Sequence, residues 1–458
     1  MQNNFYETFT DYARLLSSFV KLNLEYNAMY LDSIKNTLEQ NKESFDPKAF
    51  YELLANNLDN IFDKELRTKR FTSILSEYMN SLVDYRETQK RINIPVRYYD
   101  EALYQIKKYL FQLSSAMDLE CSATATPSEV VFKKGKIELL HYITDKKNTI
   151  PLILVYAPIN RFNLMDLKPN RSIVKNLISQ GFDVYVIHWG YTGIQDDGLK
   201  LDDYENYLDE AVSAICQSHA RQKIPIVGYC WGGLLSVVYS ALYLEKVESL
   251  TLMATPIDFT QENSILSVWS KDLDMDKILD EFGHLDPLML DTAFVMRNPF
   301  RNYEKYANLF NKIHDQKYLN DFVTLEKWLH NIPPIPGAFY RQIIDDCYKN
   351  NLLILKKMHV NGKLVNLEKI DFPVLTVYAE KDDLISPISS LAINEHISSK
   401  DKKTISIPSG HVGLIIGTSA HEKLWPDIGT WIKSKNIMAP KSDSKPTIST
   451  RKEEPVTA

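Results

Sequence analysis

Apolar residues first recur at steps of three and four and later gather into short continuous runs, and that change of period divides the chain. Over 5–41, Phe5, Phe9, Tyr12, Leu16, Phe19, Leu22, Tyr26 and Met29 share one helical face. Asp46 before Pro47 marks a cap and first turn, and Phe50, Leu53, Leu54, Leu58, Ile61 and Phe62 continue the period. Residues 71–92 and 98–117 repeat it, separated at Pro95. This predicts a helical N-terminal module over 1–118, closed by a linker over 119–128 where small residues and Pro127 break the pattern.

From Val130 onward, short apolar runs alternate with helical ones, as strand–helix–strand units require. The predicted strands are Glu129–Phe132, Ile137–Ile143, Leu152–Tyr156, Val184–Trp189, Ile224–Gly228, Ser249–Ala254, Val374–Tyr378 and Thr404–Ile407. Crossover helices are expected at Ser172–Gln180, Leu201–Ala220, Trp231–Tyr243 and Pro387–Ile397. The class is therefore α/β with a mainly parallel central sheet, in a catalytic domain spanning 129–436. Between about 256 and 370 the alternation stops for a helical, aromatic-rich stretch, an insertion before the last two strands that reads as a cap. Residues 437–458 are polar and Pro-containing and are expected to be disordered, having too little apolar surface to offset their ordering entropy.

Composition narrows the function. A chain of 458 residues, 44% hydrophobic, can build one large domain and a smaller companion. The net charge of −6 comes without a basic stripe to neutralise a phosphate backbone, which argues against nucleic acid as a partner. The 4 cysteines, Cys121, Cys216, Cys230 and Cys347, show no paired spacing, so reduced thiols in a cytoplasmic protein are expected. Glu7 and Asp11 stand where a secretory signal would be basic, and no apolar run is long enough for a transmembrane segment. The histidines are scattered without HExxH or paired-Cys spacing, so no metal site is expected.

The chemistry concentrates in Ile224-Pro225-Ile226-Val227-Gly228-Tyr229-Cys230-Trp231-Gly232-Gly233, an apolar run leading into the helical stretch LLSVVYSALY. Gly228 and Gly232 flank the central residue as a tight strand-to-helix turn demands, because side chains there would collide. The centre is Cys230, and a thiol at a helix N-terminus gains thiolate character from the backbone N–H groups. Exchange of one thioester sulfur for another is nearly balanced energetically, which suits acyl transfer. Downstream, DFPVLTVYAEKDDLISP presents Asp382 after a strand, and KTISIPSGHVGLIIG presents His411 between glycines after the last one. The order Cys230, Asp382, His411 is that of the α/β-hydrolase fold. An oxyanion hole then needs the Trp231 N–H and a donor from Tyr156-Ala157-Pro158-Ile159-Asn160, where Ile159 is favoured because Pro158 has no N–H.

The run VYAPINRFNLMDLKPNRSIVKNLISQGFDVYVIHWG, the elbow GYCWGG, MATPIDF, EKWLHNIP, AEKDDLISP and SGHVGLIIG resemble, in order, segments of polyhydroxyalkanoate synthases. The wording is most similar to the class III, two-subunit type, over roughly Val130 to Trp431. The resemblance implies polymerisation of (R)-3-hydroxyacyl-coenzyme A, 3-hydroxybutyryl-coenzyme A foremost, with Cys230 carrying the acyl group and His411 as its base. Asp382 would act on the incoming hydroxyl, directly or through His411, and Asp166 would help organise the core. No cofactor is implied, since the coenzyme A thioester is the substrate. The implied partners are the growing polyester and its granule surface, with a homo-oligomer or a helical partner subunit. Asp383 departs from the family, in which many members carry His after the catalytic Asp, and substrate positioning or the ionisation of Asp382 could change with it.

Two other functions share this pattern. A thioesterase, esterase or polyester depolymerase would use the same triad with water as acceptor. A granule-associated scaffold would keep the fold without activity. The cysteine nucleophile and the insertion, which can exclude water, favour transfer.

Overall fold

Strands that must be covered on both faces show no alternation, and Ile150–Val155 (β3), Ile224–Tyr229 (β5) and Val247–Met253 (β6) are buried along nearly their whole length. They form the middle of an eight-stranded sheet with Ser128–Lys134 (β1), Ile137–Tyr142 (β2), Phe182–His188 (β4), Val374–Ala379 (β7) and Lys402–Ile407 (β8). The order is β1-β2-β4-β3-β5-β6-β7-β8. β1 and β2 join antiparallel, and every other pair from β4 onward is parallel. The computed structural model describes residues 124–144, 150–262, 264–272, 274–297, 305, 315–329 and 331–436, with Glu77 and Asn80. The expected N-terminal helices, the start of the linker and the tail over 437–458 lie outside them, apart from Glu77 and Asn80, which are helical.

All eight expected strands are present, each within a few residues of its expected ends. Three of the expected crossovers form Ile173–Ser179 (α1), Leu201–Ser218 (α2) and Trp231–Leu242 (α3). On α2 the residues Leu201, Tyr204, Leu208, Ala211, Val212 and Ile215 are buried, one face of a helix set by steps of three and four. Ser172 caps α1 by accepting the Lys175 N–H at 2.8 Å. The fourth crossover is two short helices, Pro387–Leu391 and Ile393–His396, rather than one. Gln180 Nε2 on α1's C-cap donates to Trp425 O, and Asn176 Nδ2 to His421 O, so the first crossover is stitched to the C-terminal helices.

Two compact units divide the chain: Cys121–Ser264 with Trp328–Ala458, and Met1–Glu120 with Ile265–Lys327. The first holds the whole sheet. Of the insertion over about 256–370, its two ends therefore belong with the sheet, and 265–327 forms part of the second unit. The described part of the insertion includes the helices Ile265–Asp272, Met275–Phe282, Pro287–Arg297 and Gln316–Leu329, with two-residue strands such as His359–Val360 and Lys363–Leu364. Among the described residues no helix is long and apolar enough to cross a membrane.

Candidate active site

The parallel strands end at one level: Tyr229 pairs with Met253, Met253 with Val377 and Val377 with Ile405. The carboxyl edge of an open parallel sheet is where ligands bind, because the loops that leave it converge there. Cys230 is the first residue past β5, with φ 56° and ψ −127°, a left-handed conformation that an L side chain adopts only under constraint. The constraint is visible. Its N–H donates to Met253 O at 2.9 Å, and its carbonyl accepts the N–H groups of Gly233 and Leu234 at 2.9 and 3.2 Å. A Cβ on Gly228 would lie 2.5 Å from Ser236 Oγ, and one on Gly232 would strike the backbone of Val155 and Tyr156. Both elbow glycines are thus required by space. Gly233 is a third, since its Cβ would overlap Thr255. Cys230 itself is 6% exposed.

Rungs of the sheet continue beyond the strands and place the other two groups. Glu380 N–H donates to Ile407 O and Lys381 N–H to Ser409 O, both at 3.0 Å, which aligns the loop after β7 with the loop after β8. His411 Nδ1 donates to Asp382 Oδ2 at 2.7 Å, and Oδ1 accepts the N–H groups of Leu384 and Ile385 at 2.9 and 3.0 Å. The two side chains are 7% and 1% exposed. Tyr229 braces the histidine from below: its hydroxyl donates to His411 O at 3.1 Å and its ring lies 4.8 Å from the imidazole.

With Nδ1 committed to Asp382, His411 has Nε2 for its hydrogen bond with Cys230. Burial works against the imidazolium, but the charges of Asp382 and Cys230 and the hydrogen bonds to both hold His411 well above the ordinary histidine range. Burial also works to raise Asp382, yet His411 and the Ile385 and Leu384 N–H groups hold it below the ordinary carboxylate value. Asp383, half-buried beside it, does not reverse that direction. Burial pushes the Cys216 thiol up to about 11 and raises that of Cys347 further. Cys121 lies outside the described residues. The arrangement can take a proton from a thiol and return it to a leaving group.

Trp231 is the first residue of α3, where a backbone N–H has no intrahelical acceptor. Ile159 sits half-buried in a turn closed by Asn160 N–H to Ala157 O at 3.4 Å, whereas the peptide abutting the elbow is Tyr156–Ala157, with Tyr156 C 2.6 Å from a Cβ on Gly232. Asp166 is wholly buried, but its bonds run away from the triad: Oδ2 accepts Thr126 N–H at 2.7 Å, Oδ1 accepts Thr126 Oγ1 at 3.0 Å, and Ser172 bonds it as well. It ties the entry to β1 to the loop after β3. That loop's turn at Phe162–Met165 packs on Gly413–Ile416, the helix following His411, so any influence of Asp166 on the triad passes through that contact.

Several residues around the elbow carry no sequence motif. Tyr156 stacks on Tyr229 with ring centres 5.6 Å apart. Trp231 Nε1 donates to Tyr348 Oη at 3.2 Å, and the Trp231 ring faces Phe339, Tyr340 and Tyr348 at 6.1–6.3 Å. Tyr348 lies on a π-helical stretch, Ile343–Lys349, a wider turn often found at functional sites. Tyr229 and Trp231 had a signal as part of the GYCWGG elbow, and Tyr156 as part of the facing loop, whereas Phe339, Tyr340 and Tyr348 had none. Among the described residues no cluster of His, Cys, Asp or Glu could hold a metal.

Residues 163–418 match the family described as alpha/beta hydrolase fold, and residues 107–177 that described as Poly-beta-hydroxybutyrate polymerase (PhaC) N-terminus. The chain is similar to a poly(3-hydroxyalkanoate) polymerase subunit PhaC of Thiocystis violacea, 33% identical over 74% of this chain and 98% of that one. The corresponding subunit of Synechocystis is 33% identical over 73% of this chain and 92% of its own. That of Haloferax mediterranei is 36% identical over 69% of this chain and 66% of its own length. Shared across nearly the full length of two relatives and seated on the matching fold, this similarity makes the chain a member of the poly(3-hydroxyalkanoate) polymerase PhaC family.

Proposed function

We propose that this chain polymerises (R)-3-hydroxyacyl-coenzyme A into polyester through a thioester on Cys230. The observation that carries the reading is the continuous line from Cys230 through His411 to Asp382 in a chain of this family. Cys230 sulfur attacks the thioester carbonyl as His411 takes the thiol proton. The carbon–sulfur bond to coenzyme A breaks, and His411 returns the proton to the departing thiolate. The 3-hydroxyl of the next unit then attacks the Cys230 thioester, giving its proton to His411, so that an ester forms and the Cys230 thiol is restored. Developing oxyanion charge meets the Trp231 N–H and a donor of the 156–160 loop, for which Ile159 and Ala157 are the candidates.

Asp382 acts through His411 in this scheme, because Oδ2 is taken by the imidazole and Oδ1 by two backbone N–H groups. The cycle draws on side chains and backbone N–H groups of the chain, with coenzyme A as substrate rather than cofactor. Attachment to polymer granules in the cytoplasm, and a homo-oligomer or helical partner subunit, follow as part of the same proposal; light scattering of the chain with and without polymer tests them. The deciding assay supplies 3-hydroxybutyryl-coenzyme A. Chloroform-soluble polymer is expected, whereas free 3-hydroxy acid in its place would identify a thioesterase. Slow iodoacetamide labelling of Cys230, at the rate of an ordinary thiol, would point to an inactive scaffold.

A further inference from the structure

Behind the triad lies a second buried carboxylate that the proposed cycle does not use. Glu262 is 3% exposed and sits just past the end of β6, at the root of the insertion. Both its oxygens accept the Ser386 N–H, at 3.3 and 3.1 Å, and its carboxylate is hydrogen-bonded to the Ser389 side chain. Ser389 Oγ in turn accepts the Ile257 N–H at 3.1 Å. Asn351 fixes the segment from its other side, accepting the Phe259 N–H at 3.1 Å and donating to Asp258 Oδ1 at 2.9 Å. Residues 257–262 are therefore a fixed block, and Ser386 ends the same short loop whose Leu384 and Ile385 N–H groups hold Asp382 Oδ1.

We propose that Glu262 is a positioning residue for the acid of the triad: by holding Ser386 it fixes the Asp382 loop, and its charge supports the imidazolium of His411. The inference rests on the assignment of Cys230, His411 and Asp382. Among the described residues, the titratable groups facing Glu262 include Asp382, His411 and Tyr348. Burial raises Glu262 to about 7; the bonds from Ser389 and Ser386 work against that rise, Asp382 adds to it, and His411 lowers it. By reciprocity, ionised Glu262 favours the protonated form of His411, and so the proton transfer from Cys230. Glu262 gains this charge as pH rises through about 7. The rate of Cys230 alkylation should therefore climb between about pH 6 and 8.

The test compares Glu262→Ala, Glu262→Gln, Asp382→Asn and His411→Ala in the full chain. Readouts are iodoacetamide alkylation of the Cys230 peptide against pH, and the initial burst of coenzyme A from 3-hydroxybutyryl-coenzyme A. Glu262→Ala is expected to slow the burst about 10-fold at unchanged KM, because loss of alignment within an ångström is felt in the chemical step. Glu262→Gln keeps an oxygen for Ser386 and should retain most of the rate, but lose the rise across pH 6–8. Wild-type burst and pH profile in both variants, with His411→Ala inactive, would overturn the inference and leave the triad standing. A fully active His411→Ala would instead overturn the triad. If Glu262→Ala does not fold, the Gln variant's pH profile decides alone.

Discussion

Among the described residues, two histidine–aspartate pairs lie at opposite ends of the sheet's parallel strands, one half-buried and one buried, and only the buried one faces a nucleophile. His141 Nε2 meets Asp183 Oδ1 at 2.8 Å, nearly the 2.7 Å of His411 and Asp382. Asp183 lies opposite Pro151 at the amino end of β3 and β4, however, while the triad stands at the carboxyl ends. A second histidine, His219, holds the other Asp183 oxygen at 3.1 Å, and Tyr185 stacks on His141 at 4.6 Å where the triad has its thiol. Electrostatics show the same contrast. Burial opposes the charge of Asp183, but its two histidines take it down to about 2; burial opposes His141 too, yet Asp183 and Glu129 hold it up. A His–Asp pair is thus a stable unit of structure in its own right. Its position beside an elbow, with one ring nitrogen left for a thiol, makes it a candidate for catalysis.

The strongest way to break the comparison is to remove the thiol. Cys230→Ala is expected to lower coenzyme A release by on the order of 10⁴-fold or more, with the melting temperature nearly unchanged. Cys216→Ala, away from the triad, should polymerise like the wild type; an equal loss in both variants would end the assignment.

Next in size is the split between the triad's two partners. Asp382→Asn should still release about one coenzyme A per site in a burst, since His411 remains near Cys230. Elongation should slow on the order of 10³-fold, because the hydroxyl proton needs the stronger base. His411→Ala should show no burst. Stopped-flow release of coenzyme A separates them, and equal loss of both phases in Asp382→Asn would place the carboxylate in acylation too.

The opposite pair should govern stability alone. Asp183→Asn is expected to cost about 1–3 kcal/mol of unfolding free energy while kcat stays within twofold. Asp183 is lowered from 3.8, so its contribution is present above that value and lost as pH falls toward about 2. His141 is raised from 6.5, so its contribution is complete below that value and lost as pH rises through the folded one. The deficit of the variant should therefore be widest between about pH 4 and 6.5. Denaturant melts across pH 3–9 check this, and a deficit that grows with alkalinity contradicts it.

The smallest effect sharpens the boundary of the site. Tyr229→Phe removes one hydroxyl from His411 O and leaves the ring in place, so kcat should fall only a few-fold. A fall beyond about 100-fold would show that the tyrosine aligns the imidazole as strongly as Asp382 does.

Local order made much of this molecule readable from its residues. A strand two-faced in burial declares itself as an apolar run, an exposed-edge helix by steps of three and four, and the elbow by glycines whose missing Cβ atoms are demanded within five residues of Cys230. The order Cys230, Asp382, His411 follows from chain direction in a parallel sheet, so it too was written in the sequence. What fails to show is contact between distant segments. Nothing near Glu262 announces Ser386, 124 positions later, and nothing in Tyr156-Ala157-Pro158-Ile159-Asn160 tells which peptide will meet Gly232.

The sequence by itself therefore determined the α/β class, the eight strands, the elbow and the identity of the three candidate catalytic groups, because each depends on periodicity or on a turn a few residues long. Tertiary packing alone sets that Cys230 is buried, that Asp166 bonds Thr126, and that the Tyr156–Ala157 peptide abuts Gly232. It also decided which His–Asp pair has a thiol beside it. The physical reason is common to all four: burial and hydrogen-bond partners are fixed by where the sheet brings remote backbones together, and short-range patterns carry no record of that.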